Sequence, residues 1–223
     1  MPAPPLTLET LLRQAAAIDR IRNLRADLAS GATPAVSDLV SLQPAIAFDL
    51  PWPWGGERFE LRGLRPLTWI TGPLFSGKTR LAMRLAETLP GASFIGLDRE
   101  APETPSDHAG AALGWLIEDG ASDTPALRAL LAALDTGGDS ALVIDMIEQG
   151  LDETTQLALA AHLRRRGPDA RPLFAMTRST AMLDLAACGP DEQIIYCPAN
   201  HSPPLIVSPH PGAPGYEAVA TCL

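Results

Sequence analysis

Residues 67–79 read LTWITGPLFSGKT. The apolar, β-type run LTWIT leads directly into Gly72-Pro73-Leu74-Phe75-Ser76-Gly77-Lys78-Thr79, which fits GxxxxGK[ST]. RLAMRLAETLP, residues 80–90, then carries helical spacing and closes on Pro90-Gly91. Strand, glycine-bounded loop and helix in that order are what the pattern needs in order to bind phosphate. The glycines let the backbone wrap closely around the anion, while amide N–H groups and the helix N-terminus supply positive potential. In such a loop the lysine, Lys78, reaches the β- and γ-phosphates of a nucleotide, and the Thr79 hydroxyl ligates magnesium.

The matching second half lies at residues 141–152, ALVIDMIEQGLD. An apolar strand ending in Asp145 delivers its carboxylate to the sheet edge near the metal, so Thr79 and Asp145 are the expected magnesium ligands. Between and around these two segments, strands alternate with helices. AIAFDL (45–50) and RFELRGL (58–64) read as strands around the turn-rich PWPWGGE, and SFIGLD (93–98) and PLFAMT (172–177) as further strands. TPALRALLAALD (124–135) and ETTQLALAAHLRRRG (153–167) read as helices. QIIYC (193–197) and PLIVS (204–208) form a closing pair of strands, and 99–121 reads as a polar, mixed segment. The fold class is α/β, with antiparallel additions at both ends of the sheet. Residues 7–29 have apolar positions at threes and fours and a stop at Ser30-Gly31. They predict a helix within an extension spanning 1–45, ahead of a main domain at 46–223.

The 17 basic and 26 acidic residues leave a net charge of -9. No global basic field for nucleic acid follows from that balance. Arg164-Arg165-Arg166 before Gly167 is read as the cationic end of a helix. No apolar run approaches the roughly 18 residues of a membrane span. The N-terminus lacks the basic-then-apolar pattern of a signal peptide, so a cytoplasmic protein is expected. Cys197, His201, His210 and Cys222 are residue types that bind zinc, but their spacing matches no common zinc pattern. Reduced structural cysteines are expected.

The phosphate loop, the Asp145 strand and Gly150-Leu151-Asp152 shortly after it resemble the ATP-binding-cassette class of P-loop NTPases. The resemblance spans roughly residues 46–208 and implies a three-layer sandwich, a largely parallel sheet with antiparallel edge strands, and ATP with magnesium as ligands. Gly150-Leu151-Asp152 falls at the family's D-loop, which implies contact with a second copy or a partner protein. Arg178, after PLFAMT, stands at the family's switch histidine, ahead of a helix over MLDLAACGPDE (182–192). Trp54, with Trp52 as the alternative, falls in the region of the aromatic that stacks on adenine. Counted back from Asp145, the family's signature serine falls on Ser122, which also reads as a helix N-cap.

The departures concern hydrolysis. Met146 stands where the family carries its water-activating glutamate, the signature glycines are Asp123 and Thr124, and 99–140 contains no glutamine. A thioether neither orients nor deprotonates water. Glu148 shares Met146's side on an extended segment, and a local turn would bring it inward; Asp98 is a second candidate acid. Only 67 residues separate Lys78 from Asp145, which leaves little room for the subdomain that couples to transporter partners. The leading expectation is an ATP-binding switch that hydrolyses slowly or not at all, with Glu148 and Arg178 as candidate catalytic groups. The alternatives are a small-molecule or nucleotide kinase with 99–121 as its lid, and a non-catalytic interaction protein that retains the fold.

Overall fold

A computed structural model describes residues 46–136, 140–167 and 170–223. The helix expected over 7–29, and the extension containing it, lie outside the described residues. The chain opens with an antiparallel hairpin of β1 (Ile46–Asp49) and β2 (Arg58–Leu61), in register from Ile46↔Leu61 to Asp49↔Arg58. A six-stranded sheet follows, in the order β4-β5-β6-β3-β7-β8. Its strands are β3 (Leu67–Thr71), β4 (Ser93–Ile95), β5 (Leu142–Ile144), β6 (Leu173–Met176), β7 (Glu192–Tyr196) and β8 (Leu205–Val207). All pairings are parallel except β7 with β8. The sheet is largely parallel and antiparallel pairing is confined to the two ends of the chain's strand order, as expected. β8 closes one edge, while β1 and β2 form a sheet of their own.

Strand alternation sorts the core into two layers. Leu67, Trp69, Leu142, Ile144, Leu173, Ala175, Ile194 and Tyr196 face one side. There they meet α2 (Asp107–Glu118), α3 (Pro125–Asp135), α4 (Glu153–Arg164) and α5 (Tyr216–Cys222). Ile70, Val143, Phe174, Met176 and Ile195 face the other side, against α1 (Lys78–Thr88) and the hairpin. A parallel sheet covered on both faces has to be apolar along its strands, and these strands are. Each fully buried Leu, Ile or Phe contributes about 1.5–3 kcal/mol by leaving water. No helix among the described residues is long and apolar enough to cross a membrane.

Two elements depart from expectation. Residues 99–121 hold helix α2, whose Ala109, Ala112, Leu113 and Leu116 repeat at helical spacing and are buried, and whose N-terminus is capped by the Ser106 side chain accepting from Ala109 N. This segment packs on α3 and α4. Conversely, the helix expected over 182–192 is absent: 182–191 forms turns and loop, and Glu192 opens β7. Ser179 Oγ accepts from Ala181 N and Met182 N, and Gly189-Pro190 interrupts the rest. The three arginines are structural, as expected of a helix C-terminus. Arg165 pairs with Asp119, Arg166 donates to Pro66 O and Arg171 O, and Arg164 pairs with Glu192.

That last pair is mostly enclosed, with 18% of the Arg164 side chain and 5% of the Glu192 side chain exposed. Glu192 also accepts from Trp69 Nε1 at 2.7 Å and Gly189 N at 2.8 Å, so one carboxylate ties β3, β7 and α4 together. Glu192→Ala leaves the Arg164 cation and the Trp69 N–H without their acceptor. The expected loss is about 3 kcal/mol in urea unfolding, because an enclosed charge is stranded.

Candidate functional site

The carboxyl ends of β3, β5, β6 and β7 converge, and the chain's polar groups gather there. The loop after β3 needs both of its glycines. Gly72 has φ 146°, and a Cβ there would lie 2.3 Å from the Cys197 carbonyl oxygen. Gly77 has φ 89°, and its Cβ would lie 2.7 Å from the Trp54 ring. Residue 77 is also the N-cap of α1, so the helix starts at Lys78 with its amides turned into the loop. The buried Lys78 ammonium donates to Gly72 O (2.8 Å), Pro73 O (2.6 Å) and Ser76 Oγ (3.5 Å). Burial lowers its proton affinity, and the Arg178 charge adds to the effect; Cys197, Cys222 and Asp145 act against it.

Across the loop, Thr79 Oγ1 donates to Asp145 Oδ2 at 3.1 Å, so the two expected metal ligands are neighbours. Asp145 Oδ1 is buried without a hydrogen-bond partner. A hydroxyl oxygen beside a carboxylate with a spare buried oxygen is a donor set that suits a hard divalent cation such as magnesium. Burial raises the Asp145 carboxyl above the usual aspartate range; the Thr79 hydrogen bond, Arg99 and Lys78 oppose this, and Glu148 reinforces it.

After Asp145 the chain turns sharply. Met146 takes φ 43°, a left-handed conformation that costs a non-glycine residue about 1–2 kcal/mol. Its side chain packs against the α1-side core. Ile147 N then bonds to Met176 O at the end of β6 (2.9 Å), and Glu148 Oε1 accepts from Arg178 N (3.0 Å). Glu148 Oε2 is buried without a partner. The two candidate catalytic residues are thus joined, and Glu148 lies close enough to act electrostatically on Asp145. The exposed Arg178 side chain acts in the same way on Lys78. Asp98, the other candidate acid, is exposed.

Its neighbour Arg99 is the residue that the sequence reading missed. Its Nε donates to Gly96 O (3.1 Å), and Nη2 reaches Asp145 O (2.9 Å), Met146 O (2.7 Å) and Gln149 Oε1 (3.3 Å). Burial works against its charge, while Asp145 and Glu148 favour it. Its position just beyond β4, at the same carboxyl edge, was the available signal. His201, read from the sequence only as a zinc-type residue, instead contacts the loop: its Nε2 pairs with Phe75 O at 3.0 Å and must donate there, since a carbonyl only accepts.

Other expected residues have different tasks. Trp54 is only 5% exposed, lies against Gly77 and donates its indole N–H to Ser202 O (3.1 Å), so it supports the loop rather than offering a face to a base. Trp52 is 77% exposed. Ser122 is not an N-cap: Thr124 caps α3, accepting from Leu127 N. Ser122 Oγ instead donates to Asp152 Oδ2 (2.7 Å), and Asp152 caps α4 by accepting from Thr155 N (2.8 Å). Gly150 lies against Ala126, and Leu151 is buried. Cys197 is buried, and burial pushes its thiol up to about 12. Among the described residues no group of three His, Cys, Asp or Glu side chains gathers as metal ligands. A groove of about 820 Å³ between α2, α3 and α4 shares no residue with the phosphate loop, and its Arg165 and Arg166 are already bonded.

No family model matches the sequence, and no curated protein does either. Among solved structures, the chain is similar to one described as a cobalt transport ATP-binding protein. The TM-score is 0.44 at 13% identity, covering 75% of this chain and 79% of that one. It is also similar to a metal-chelate type ABC transporter in an inward-facing conformation, with TM-score 0.46 at 11% identity, covering 74% and 82%. Site chemistry at these identities is read from this chain's own residues. They form a glycine-bounded loop between β3 and α1 with an acidic strand end beside it.

The raised Asp145 carboxyl carries a pH signature. Its ionised form costs folding stability at neutral pH, and that cost is relieved as pH falls through the folded value. A cation needs the ionised form, so magnesium affinity should fall on acidification earlier than an ordinary aspartate would allow. Asp145→Asn should raise the melting temperature without magnesium at neutral pH, and magnesium should no longer shift it. Thermal unfolding at several pH values, with and without magnesium, measures both effects.

Proposed function

We propose that this chain is an ATP- and magnesium-binding switch that hydrolyses ATP slowly, with Glu148 as the water-activating base. The observation that carries the reading is the unpartnered, buried Glu148 oxygen beside Asp145 and Arg178. On binding, Lys78 exchanges its loop carbonyls for the β- and γ-phosphates, and Arg178 adds a second cation. Magnesium held by Thr79 and Asp145 supplies charge neutralisation on the phosphates. Glu148 takes a proton from water as the water oxygen bonds to the γ-phosphorus. The bond from that phosphorus to its bridging oxygen breaks, and ADP and inorganic phosphate leave. Trp52 is the tryptophan available for stacking on adenine.

Slow turnover is expected because Glu148 stands two residues beyond the usual place, on a turn with a left-handed Met146. Glu148→Gln should cut single-turnover hydrolysis about 100-fold while ATP affinity changes only severalfold. Equal hydrolysis by variant and wild type would remove Glu148 from the mechanism. Weak ATP-analogue binding by the wild type would favour a non-catalytic interaction protein instead.

The switch needs a nucleotide-dependent contact, for which Gly150-Leu151-Asp152 remains the candidate, through a second copy or a partner protein. Exposed Gly150 and Asp152 support this, although Asp152 is also engaged with Ser122. Size-exclusion chromatography with ATP and magnesium should shift wild type but not Lys78→Ala. Identical, ATP-independent elution of both would sink the switch. The kinase reading is weaker because its supposed lid is the packed helix α2, and residues 100–121 contain no arginine to grip phosphate.

A further inference from the structure

The segment from Asp145 to Gly150 poses a mechanical problem. A chain leaving β5 in extended form would carry Met146 and Glu148 on the same side. The observed chain separates them by placing Met146 in the left-handed region, which sends the thioether into the core and leaves Glu148 beside Asp145. A methionine does not hold that conformation by preference. Bonds from outside the turn hold it: Ile147 N and Glu148 Oε1 are tied to Met176 O at the end of β6 and to Arg178 N beyond it, and the carbonyls on both sides of the Met146 Cα are held by Arg99. Arg99 donates to the carbonyls of Asp145 and Met146, two successive peptide groups that bracket the Met146 Cα, and to Gln149 Oε1 at the far end of the turn. Its own position is fixed by Nε bonding back to Gly96 O. All three bonds to the turn come from one nitrogen, Nη2, whose two hydrogens are shared among them, and a cation on consecutive carbonyls forms charge-assisted bonds.

We propose that Arg99 is the positioning residue of this site, clamping the left-handed turn at Met146 that presents Glu148 to the phosphate. The proposal deepens the hydrolytic reading given above and rests on it. Arg99 acts through the backbone of residues 145 and 146, whose carbonyls it holds. Phosphate and metal binding belong to Lys78, Thr79 and Asp145, so nucleotide affinity and turnover should respond differently when Arg99 is changed.

Three measurements on Arg99→Met, Arg99→Lys and the double variant Arg99→Met/Met146→Gly decide the matter. The first is amide hydrogen exchange over residues 145–151 without nucleotide, which needs no activity. Arg99→Met should speed exchange there by about tenfold relative to wild type, with the phosphate loop unchanged. The second is affinity for a fluorescent ATP analogue with magnesium, which should stay within about threefold. The third is single-turnover hydrolysis, which should fall by about tenfold or more in Arg99→Met. Arg99→Lys keeps a cation for the carbonyls but loses the Nε bond to Gly96 O, so it should lie between the two. Glycine adopts positive φ without penalty, so Met146→Gly should recover part of the hydrolysis lost in Arg99→Met.

Unchanged exchange and turnover in Arg99→Met would overturn the clamp. So would parallel loss of affinity, turnover and melting temperature in both Arg99 variants, since that pattern is general destabilisation. Failure of Met146→Gly to recover any turnover would do the same. Wild type that binds the analogue without hydrolysing it also overturns the proposal. Wild type that fails to bind the analogue sinks the nucleotide reading itself, and hydrogen exchange still reports whether Arg99 holds the turn.

Discussion

Because helices and a hairpin cover both faces of the central sheet, β3, β5 and β6 carry no charged residue, and β7 carries Glu192 only at its N-terminal end. Thr68 and Thr71 are the polar residues β3 carries, and β5 and β6 are wholly apolar. Polar chemistry is confined to the strand ends, where backbone groups and side chains emerge together. The strand order then determines which residues meet. β6 lies between β3 and β5, so the residues following it, Thr177 and Arg178, sit between the phosphate loop and the acidic turn. Glu148 can therefore bond to Arg178 N while Asp145 bonds to Thr79.

The charges at that edge are mutually dependent. Lys78 is buried and satisfied by its own loop's carbonyls; Asp145 is buried with one oxygen unpaired. Arg99 spends its donors mainly on backbone oxygens and leaves the two carboxylates under its charge without neutralising them by direct contact. Two carboxyl groups with unpartnered buried oxygens and one ammonium bonded only within its own loop therefore share that edge.

The glycine-bounded loop, the strand before it and the helix after it could all be read from the residues, because each depends on local geometry that few residues allow. Lys78, Thr79 and Asp145 followed from that register. Alternation also separated the strands correctly. Helix α2 was missed because Pro102 and Pro105 stand just before it and Gly110 and Gly114 interrupt its apolar positions, giving a weak pattern that packing on α3 and α4 makes helical. Residues 182–192 were misread in the opposite sense. Ser179 and Gly189-Pro190 diverted an apolar stretch into turns. Trp54 and Trp52 are one residue apart on either side of a proline, so composition could not tell which is buried; the close approach at Gly77 does.

Met146 marks the boundary between the two kinds of knowledge. The sequence by itself determined that a thioether follows Asp145 at the end of β5 and that the next acid along the chain is Glu148. It could not decide whether that acid faces the site, because the answer depends on one φ angle that methionine does not favour. That angle is held by Arg99, 47 residues away from Met146 in the chain, and by the register of β5 against β6. Local chemistry specifies which groups are available. Long-range hydrogen bonds between elements decide where they point, since only assembled strands bring the donor to the carbonyls it holds.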